Sequence, residues 1–460
     1  MTVKRVTLCL FTLAVAVAPA KAEAQAFGLN EIGTCALARG FAATGAPCND
    51  ASVLFWNPAA ATRLNGLSVY GGAAAVQLGA TFQADFTGVE EDGDIPLEVP
   101  PHLFVNYKRG GRLAYGLGVY VPYGLTSEWK DDFSGRFSAL RASLATIYVQ
   151  PNIAFDLVPD RVSIGGGPVI GRSTVELKQA LDLSTVATPA GVTFGQLGIA
   201  PGTEFGRASL EGDAMAYGFH VGLHARVTPS LQLGARYLSS LKFEYEDADA
   251  TFTQTPTGLV LGGTVQPPFV AGAQIDQLVA GQFTGSGLLT AQTVNTRITH
   301  PLQFAVGLGY TGLRNTTLSV DYNLIGWRSF DVLPVDFANA PDRALIEDYK
   351  DAWAIRTGAE RVFGNGFAGR AGFSFAKTPA PDETVTPLLP DQNRFNYSLG
   401  VGIPIAGRYA LDLGYLRVDT EGRRGRIGDR ASTDLTAEQL NTGFYTLDAN
   451  VFSLSLKAQF

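Results

Sequence analysis

After its first eighteen residues, this 460-residue chain has no run of eighteen or more apolar residues, which excludes a bundle of membrane-spanning helices. The one apolar run near the start, Val6 to Ala18, follows Lys4 and Arg5 and is too short to span. Its length suits a secretory signal, so residues 1–24 are expected to be removed, with Ala22-Glu23-Ala24 preceding a cut before Gln25. Basic charge is also in short supply. Removing that segment takes Lys+Arg from 35 to 32 and Asp+Glu from 42 to 41, a net charge of −9, which argues against nucleic acid as a partner.

Cysteine and histidine number only three and four. Cys9 leaves with the signal. Cys35 and Cys48 remain in an exported, oxidising setting, where a disulfide is expected. Closing a loop of that size contributes about 3 kcal/mol in the chain-entropy treatment. His220 and His224 are four apart on a segment that alternates like a strand, about 13 Å from one another, so no metal site is expected. His102 and His300 are placed near the rims, and spacing gives neither a Ser or Asp partner, so no catalytic constellation and no enzyme is expected. Gly307-Leu308-Gly309-Tyr310-Thr311-Gly312 spells a dinucleotide fingerprint but ends a strand with no helix after it, so no cofactor is expected.

Strict alternation is what the chain does have. Phe452, Leu454, Leu456, Ala458 and Phe460 share one face of the last segment, and Ser453, Ser455, Lys457 and Gln459 share the other. An apolar row for lipid and a polar row for an aqueous interior is the pattern of a transmembrane β-barrel strand. A terminal aromatic such as Phe460 resembles the tag read by the bacterial barrel-assembly machinery. Leu318, Val320, Tyr322 and Leu324 alternate with Ser319, Asp321 and Asn323, and Tyr409, Leu411, Leu413 and Tyr415 with Ala410, Asp412 and Gly414. The same reading turns Arg236, Arg356, Glu360, His220 and His224 into the lumen.

Punctuation sets the strand count. Six short turns, at 109–112, 158–160, 228–230, 313–315, 364–366 and 406–408, carry Gly, Pro, Asn or Ser. Seven long polar connections, near 78–101, 124–143, 173–213, 246–296, 329–349, 377–393 and 420–447, lie between them. Short periplasmic turns and long outer loops in these numbers give an all-β fold: a 14-stranded antiparallel transmembrane barrel over 66–460. Residues 25–65 lack the alternation. Rich in Ala and Gly and carrying the cysteine pair, they are expected to fold back as a plug in a lumen wide enough to leak without one.

Phe27-Gly28-Leu29-Asn30-Glu31, Asn49-Asp50-Ala51-Ser52 and Asn57-Pro58-Ala59 resemble the N-terminal hatch of the FadL/TodX-type outer-membrane transporters of long-chain fatty acids and hydrocarbons. Tyr123-Gly124-Leu125 with Glu128-Trp129, Tyr349-Lys350-Asp351-Ala352-Trp353, Thr378-Pro379-Ala380-Pro381 and Pro390-Asp391-Gln392-Asn393-Arg394-Phe395 extend the resemblance down the chain in family order. It implies capture of a hydrophobic small molecule among outer loops, a pocket beside the hatch, and sideways exit into outer-membrane lipid through a gap at a kinked third strand. Pro122, Tyr123 and Gly124 are the expected kink, because Pro122 donates no ladder hydrogen bond and Gly124 permits a bend. Phe27, Asn57, Pro58 and Ala59 are the expected gating residues, with Asn57–Ala59 inserted near the kink.

The positions matching the family's basic, carboxylate-holding residues read Leu177 and Pro334, so fatty acid and neutral hydrocarbon both stay open as ligands. Arg172, Leu177, Lys178, Leu181 and Phe269 are the binding candidates. They fall in or beside two long apolar connections, which form either a binding groove or a lid packed on itself. A general diffusion porin and an outer-membrane barrel lipase are the alternative functions. A monomer is expected.

Overall fold

A computed structural model of the chain describes residues 26–85, 87–188, 191–262, 270–425 and 442–460. The expected signal at 1–24, its cleavage bond and Phe269 lie outside these residues. Among the described residues the barrel strands begin with β1 (Gly66–Ala84), β2 (Pro101–Lys108), β3 (Leu113–Tyr120, resuming as Gly124–Glu128), β4 (Arg141–Val158) and β5 (Val162–Asp182). Next come β6 (Glu204–Thr228), β7 (Leu231–Leu238, resuming as Leu241–Gln254), β8 (Gln292–His300, resuming as Gln303–Leu313) and β9 (Thr316–Ile325, resuming as Val332–Phe337). The rest are β10 (Arg343–Ile346, resuming as Ala352–Val362), β11 (Ala368–Ala376), β12 (Arg394–Ala406), β13 (Tyr409–Thr420) and β14 (Gly443–Gln459).

Each strand pairs antiparallel with the next, and β1 pairs with β14 from Ser68↔Gln459 to Ala84↔Gly443. That last ladder closes the sheet on itself into a barrel. The alternation explains the facing. On β6, Met215, Tyr217, Phe219, Val221 and Leu223 are exposed on the outside, where lipid meets them, and His220 and His224 are buried inside. Arg236, Arg356, Ser319, Asp321 and Asn323 are buried inward as well. His102 and His300 are buried in the lumen and are not rim residues: His102 Nε2 lies 2.8 Å from Ser455 Oγ, and His300 Nδ1 lies 3.1 Å from Tyr148 Oη.

All six short turns fall between consecutive strands as expected, but the outer connections are shorter than their polarity implied. β5 and β6 have 21 and 25 residues, about twice the 9–11 that cross a bilayer, so their hairpin projects beyond the membrane. Residues 173–182 and 204–213 are therefore paired strand and not loop. The stretch 329–349 likewise contains strand segments that pair with each other, Val332↔Ile346 to Val335↔Arg343. Above the membrane both faces of a strand meet water or other loops, so the lipid-facing apolar row disappears while the backbone ladder continues.

Residues 26–65 fill the lumen. Two single-turn helices, α1 (Thr34–Leu37) and α2 (Val53–Trp56), and a 3₁₀ segment, Pro58–Arg63, are buried almost throughout. Cys35 and Cys48 are bonded, their Cα atoms 6.3 Å apart. Asp321 of β9 accepts from the amides of Thr44 at 2.6 Å and Gly45 at 3.2 Å. Thr34 Oγ1 lies 2.7 Å from both Ser453 Oγ and Ser455 Oγ, and Trp56 Nε1 donates to Ile32 O at 2.7 Å. Glycines bring the plug backbone directly onto the wall. A Cβ at Gly372 would lie 2.0 Å from Gly40 N, and one at Gly45 would lie 2.2 Å from the Gly307 carbonyl carbon.

Gly372→Val therefore removes the seat of the plug without touching the lipid face. Ion conductance in planar bilayers should rise well above that of the wild type, and residues 26–65 should become protease-sensitive. A second prediction concerns Asp50, which is buried in the plug and accepts on one oxygen from Ser52 N at 2.8 Å and Ser52 Oγ at 2.5 Å. Burial, reinforced by Asp412, raises its carboxyl above the usual aspartate range. The folded plug then holds a proton that the unfolded segment releases near pH 4, so plug stability falls as pH rises from there through the raised value. Asp50→Asn keeps both hydrogen bonds and should flatten that dependence, read as amide exchange of residues 34–56 between pH 4 and 8.

Candidate functional site

The third strand is broken. β3 pairs with β4 through Tyr120↔Tyr148 and again from Gly124↔Ala145, so residues 121–123 face only 146–147. One extra residue in a ladder makes a bulge and bends the strand. On the other side, pairing with β2 stops at Leu103↔Val119. Among the described residues no backbone hydrogen bond joins 121–127 to the segment preceding β2. The contacts there are Asp94 N to Glu128 O at 2.8 Å and Thr126 Oγ1 to Glu98 Oε1 at 2.8 Å. Pro122 sits in the middle of this unpaired stretch and donates nothing itself.

The start of the plug covers the break. Leu29 N donates to Pro122 O at 2.9 Å, Gly124 N donates to Phe27 O at 3.0 Å, and Gly28 bridges Tyr123. Gly124 serves close approach here, since a Cβ would lie 2.9 Å from Leu29 Cδ1. The side chain of Phe27 points into an aromatic cage, with ring centroids 4.7 Å from Trp327, 5.2 Å from Phe330, 5.8 Å from His300 and 6.1 Å from Tyr123. Edge-on rings at these distances add about 0.5–1.5 kcal/mol per pair beyond area burial. Tyr349 continues the cage, 5.1 Å from Phe330 and 6.0 Å from Trp327. A single residue thus joins the two features, its carbonyl on the wall break and its ring in the cage. Arg394 holds the preceding residue through Nη2 to Ala26 O at 2.7 Å.

Asn57, Pro58 and Ala59 are elsewhere, which corrects their expected place beside the kink. Asn57 Nδ2 donates to Thr44 O and Leu223 O, both at 3.0 Å, and Asn152 Nδ2 donates to Pro58 O at 3.4 Å. The tripeptide packs on Gly165 and Gly222 in the periplasmic half of β5 and β6. A polar cavity of about 220 Å³ lies at that end, lined by Arg63, Lys108, Asp156, His224 and Arg226 among others.

The binding candidates do not converge either. Arg172 is exposed on the outer face of β5, 3.6 Å from Asp213. Lys178 lies on the same outer face with Glu176 at 2.5 Å. Leu177 points inward and packs on the main core. Leu181 joins a separate apolar cluster with Leu183, Phe194, Ile199, Phe205 and Ile275, in which the third and fourth outer connections pack on each other as a lid. Strand alternation alone separates Arg172 and Lys178 from Leu177. The cage residues Trp327, Phe330 and Tyr349 were not among the sequence candidates. The aromatic pair in Trp327-Arg328-Ser329-Phe330, followed by the motif tyrosine Tyr349, was the available signal.

A closed fourteen-stranded barrel stoppered by its own N-terminal segment, with that segment bonded to a wall break, defines a bacterial outer-membrane transport barrel. The chain belongs to the outer membrane protein transport protein family (OMPP1/FadL/TodX), which it matches over residues 15–460. It is accordingly an outer-membrane transporter of hydrophobic compounds and not an enzyme. The long-chain fatty acid transport protein of Escherichia coli K12 is 23% identical over 430 residues, covering 89% of this chain and 91% of that one. Among solved structures, a Pseudomonas aeruginosa FadL homologue is similar with a TM-score of 0.80, 20% identity, and coverage of 95% of this chain and 100% of that one. The Pseudomonas putida toluene transporter TodX is similar with a TM-score of 0.66, 16% identity, and coverage of 94% and 99%.

Proposed function

We propose that this barrel imports long-chain fatty acids or hydrocarbons by capture among the outer connections, passage through the Phe27 cage, and sideways release into lipid at Pro122–Gly124. The observation that carries this reading is the Phe27–Leu29 segment, whose backbone completes the wall at the break and whose ring fills the cage. A hydrophobic molecule that takes the place of Phe27 in the cage withdraws that residue, and with it the hydrogen bonds covering the break. Cage and exit are thereby coupled through two backbone bonds, each contributing about 0.5–1.5 kcal/mol. Gating rests on Phe27, Gly28 and Leu29, while Asn57–Ala59 anchor the plug in the periplasmic half. The fatty-acid and toluene assignments of the similar proteins support the ligand class.

A diffusion porin is disfavoured because it needs a continuous aqueous lumen, and Trp56, Phe55, Leu54 and Ala59 are fully buried within this one. Recognition of Phe460 by the assembly machinery and a monomeric state complete the proposal.

The test is a reversible lock. In a background with Cys35 and Cys48 replaced by Ser, Gly28→Cys with Tyr123→Cys places two cysteines on bridged positions. Oxidation should abolish uptake of labelled oleate and hexadecane in cells lacking other importers, and reduction should restore it. Equal uptake by oxidised and reduced cells rejects sideways exit.

A further inference from the structure

Two arginines in the lumen are buried as cations without an acid in contact. Arg236 on β7 and Arg356 on β10 are each 1% exposed, and among the described residues neither forms an ion pair. Arg236 Nη2 donates to Gln303 Oε1 at 2.9 Å and Arg356 Nη2 donates to Asn30 Oδ1 at 2.8 Å. Arg236 Nε, Arg236 Nη1 and Arg356 Nη1 have no partner. The guanidinium of Arg236 lies over Phe55 at 4.7 Å and Trp56 at 5.8 Å, and that of Arg356 over Trp56 at 5.6 Å. Asp321, opposite Arg356 in the ladder, and Glu31 act on these cations through space, while the hydrogen bonds given for them are to the amides of Thr44, Gly45 and Asn30. Ring faces and amide oxygens replace only part of the hydration a guanidinium loses on burial.

Their connections place these unfilled guanidinium donors directly behind the wall break. Gln303 passes from Arg236 to the kink, with Nε2 donating to Tyr123 Oη at 3.0 Å, and Asn30 adjoins Leu29, which covers Pro122. Movement of Phe27–Leu29 off the break therefore disturbs the partners of both guanidinium groups at once. Resting on the transport reading above, we propose that Arg236 and Arg356 form a receiving site for the carboxylate of an anionic amphiphile, holding its head in the lumen while its tail lies at the break. The site selects fatty acids over neutral hydrocarbons, and it does so with residues separate from Leu177 and Pro334. Carboxylate oxygens accept from the three unpartnered N–H-bearing nitrogens, and guanidinium geometry suits a two-oxygen acceptor.

The experiment compares wild type, Arg236→Gln/Arg356→Gln and Arg236→Lys/Arg356→Lys for uptake of labelled oleate and hexadecane by cells lacking other importers. Amide exchange of residues 34–56 checks that the plug stays seated. The glutamine pair should lower oleate uptake at least tenfold and leave hexadecane uptake within twofold, and the lysine pair should recover most of the oleate uptake. On the purified protein, the carboxyl carbon of [1-¹³C]oleate should titrate at lower pH when bound to wild type than when bound to the glutamine pair. Unchanged oleate uptake in the glutamine pair, or parallel loss of both cargoes, overturns the carboxylate site while the transport reading stands. A wild type that takes up neither cargo overturns both.

Discussion

Every backbone N–H and C=O at membrane depth must find a partner within the protein, and this one constraint organises the whole molecule. The β1–β14 ladder satisfies it by closing the sheet, so the wall has no edge except where the chain breaks it deliberately at 121–123. There the missing partners come from the plug, through Leu29 N on Pro122 O and Phe27 O on Gly124 N. A wall completed by the plug exposes no unpartnered backbone to hydrocarbon at the break. The exit route proposed above and the stability requirement therefore meet at the same three residues.

The plug holds its place by two different means. Over much of its length it is seated by backbone contact, against Gly307, Gly358 and Gly372, and by fixed acceptors such as Asp321. A contact of that kind is specific and rigid. At its N-terminus, backbone hydrogen bonds to Pro122 and Gly124 and the Arg394 contact to Ala26 are joined by one aromatic side chain in a cage of aromatic side chains. This difference separates the part that includes Asn57–Ala59 and the Cys35–Cys48 link from the part that covers the strand break, Phe27–Leu29.

Much of the architecture was legible because a two-residue period and tight-turn residues are local properties. Ser319-Val320-Asp321 and Phe452 to Phe460 reveal their facing residue by residue, and Asn365-Gly366 or Pro159-Asp160 mark turns wherever they fall. The outer connections are shorter than the polar stretches suggest because the alternation depends on lipid, and β5 and β6 continue past the point where lipid ends. The candidate site was less legible. Arg172 and Lys178 are near Leu177 in sequence but face away from the lumen, and the cage joins Phe27 to Trp327, Phe330 and Tyr349 across three hundred residues of chain.

By itself the sequence determined the barrel, its strand number, the burial of a charged interior and the presence of a plug, since each follows from periodicity and composition over a few residues. Only the tertiary structure decided which part of the plug lies on the strand break, which aromatic residues enclose Phe27, and that Arg236 and Arg356 stand behind the break with guanidinium nitrogens unpartnered. Those relations join residues far apart in the chain, and closure of the cylinder, not local preference, brings them together.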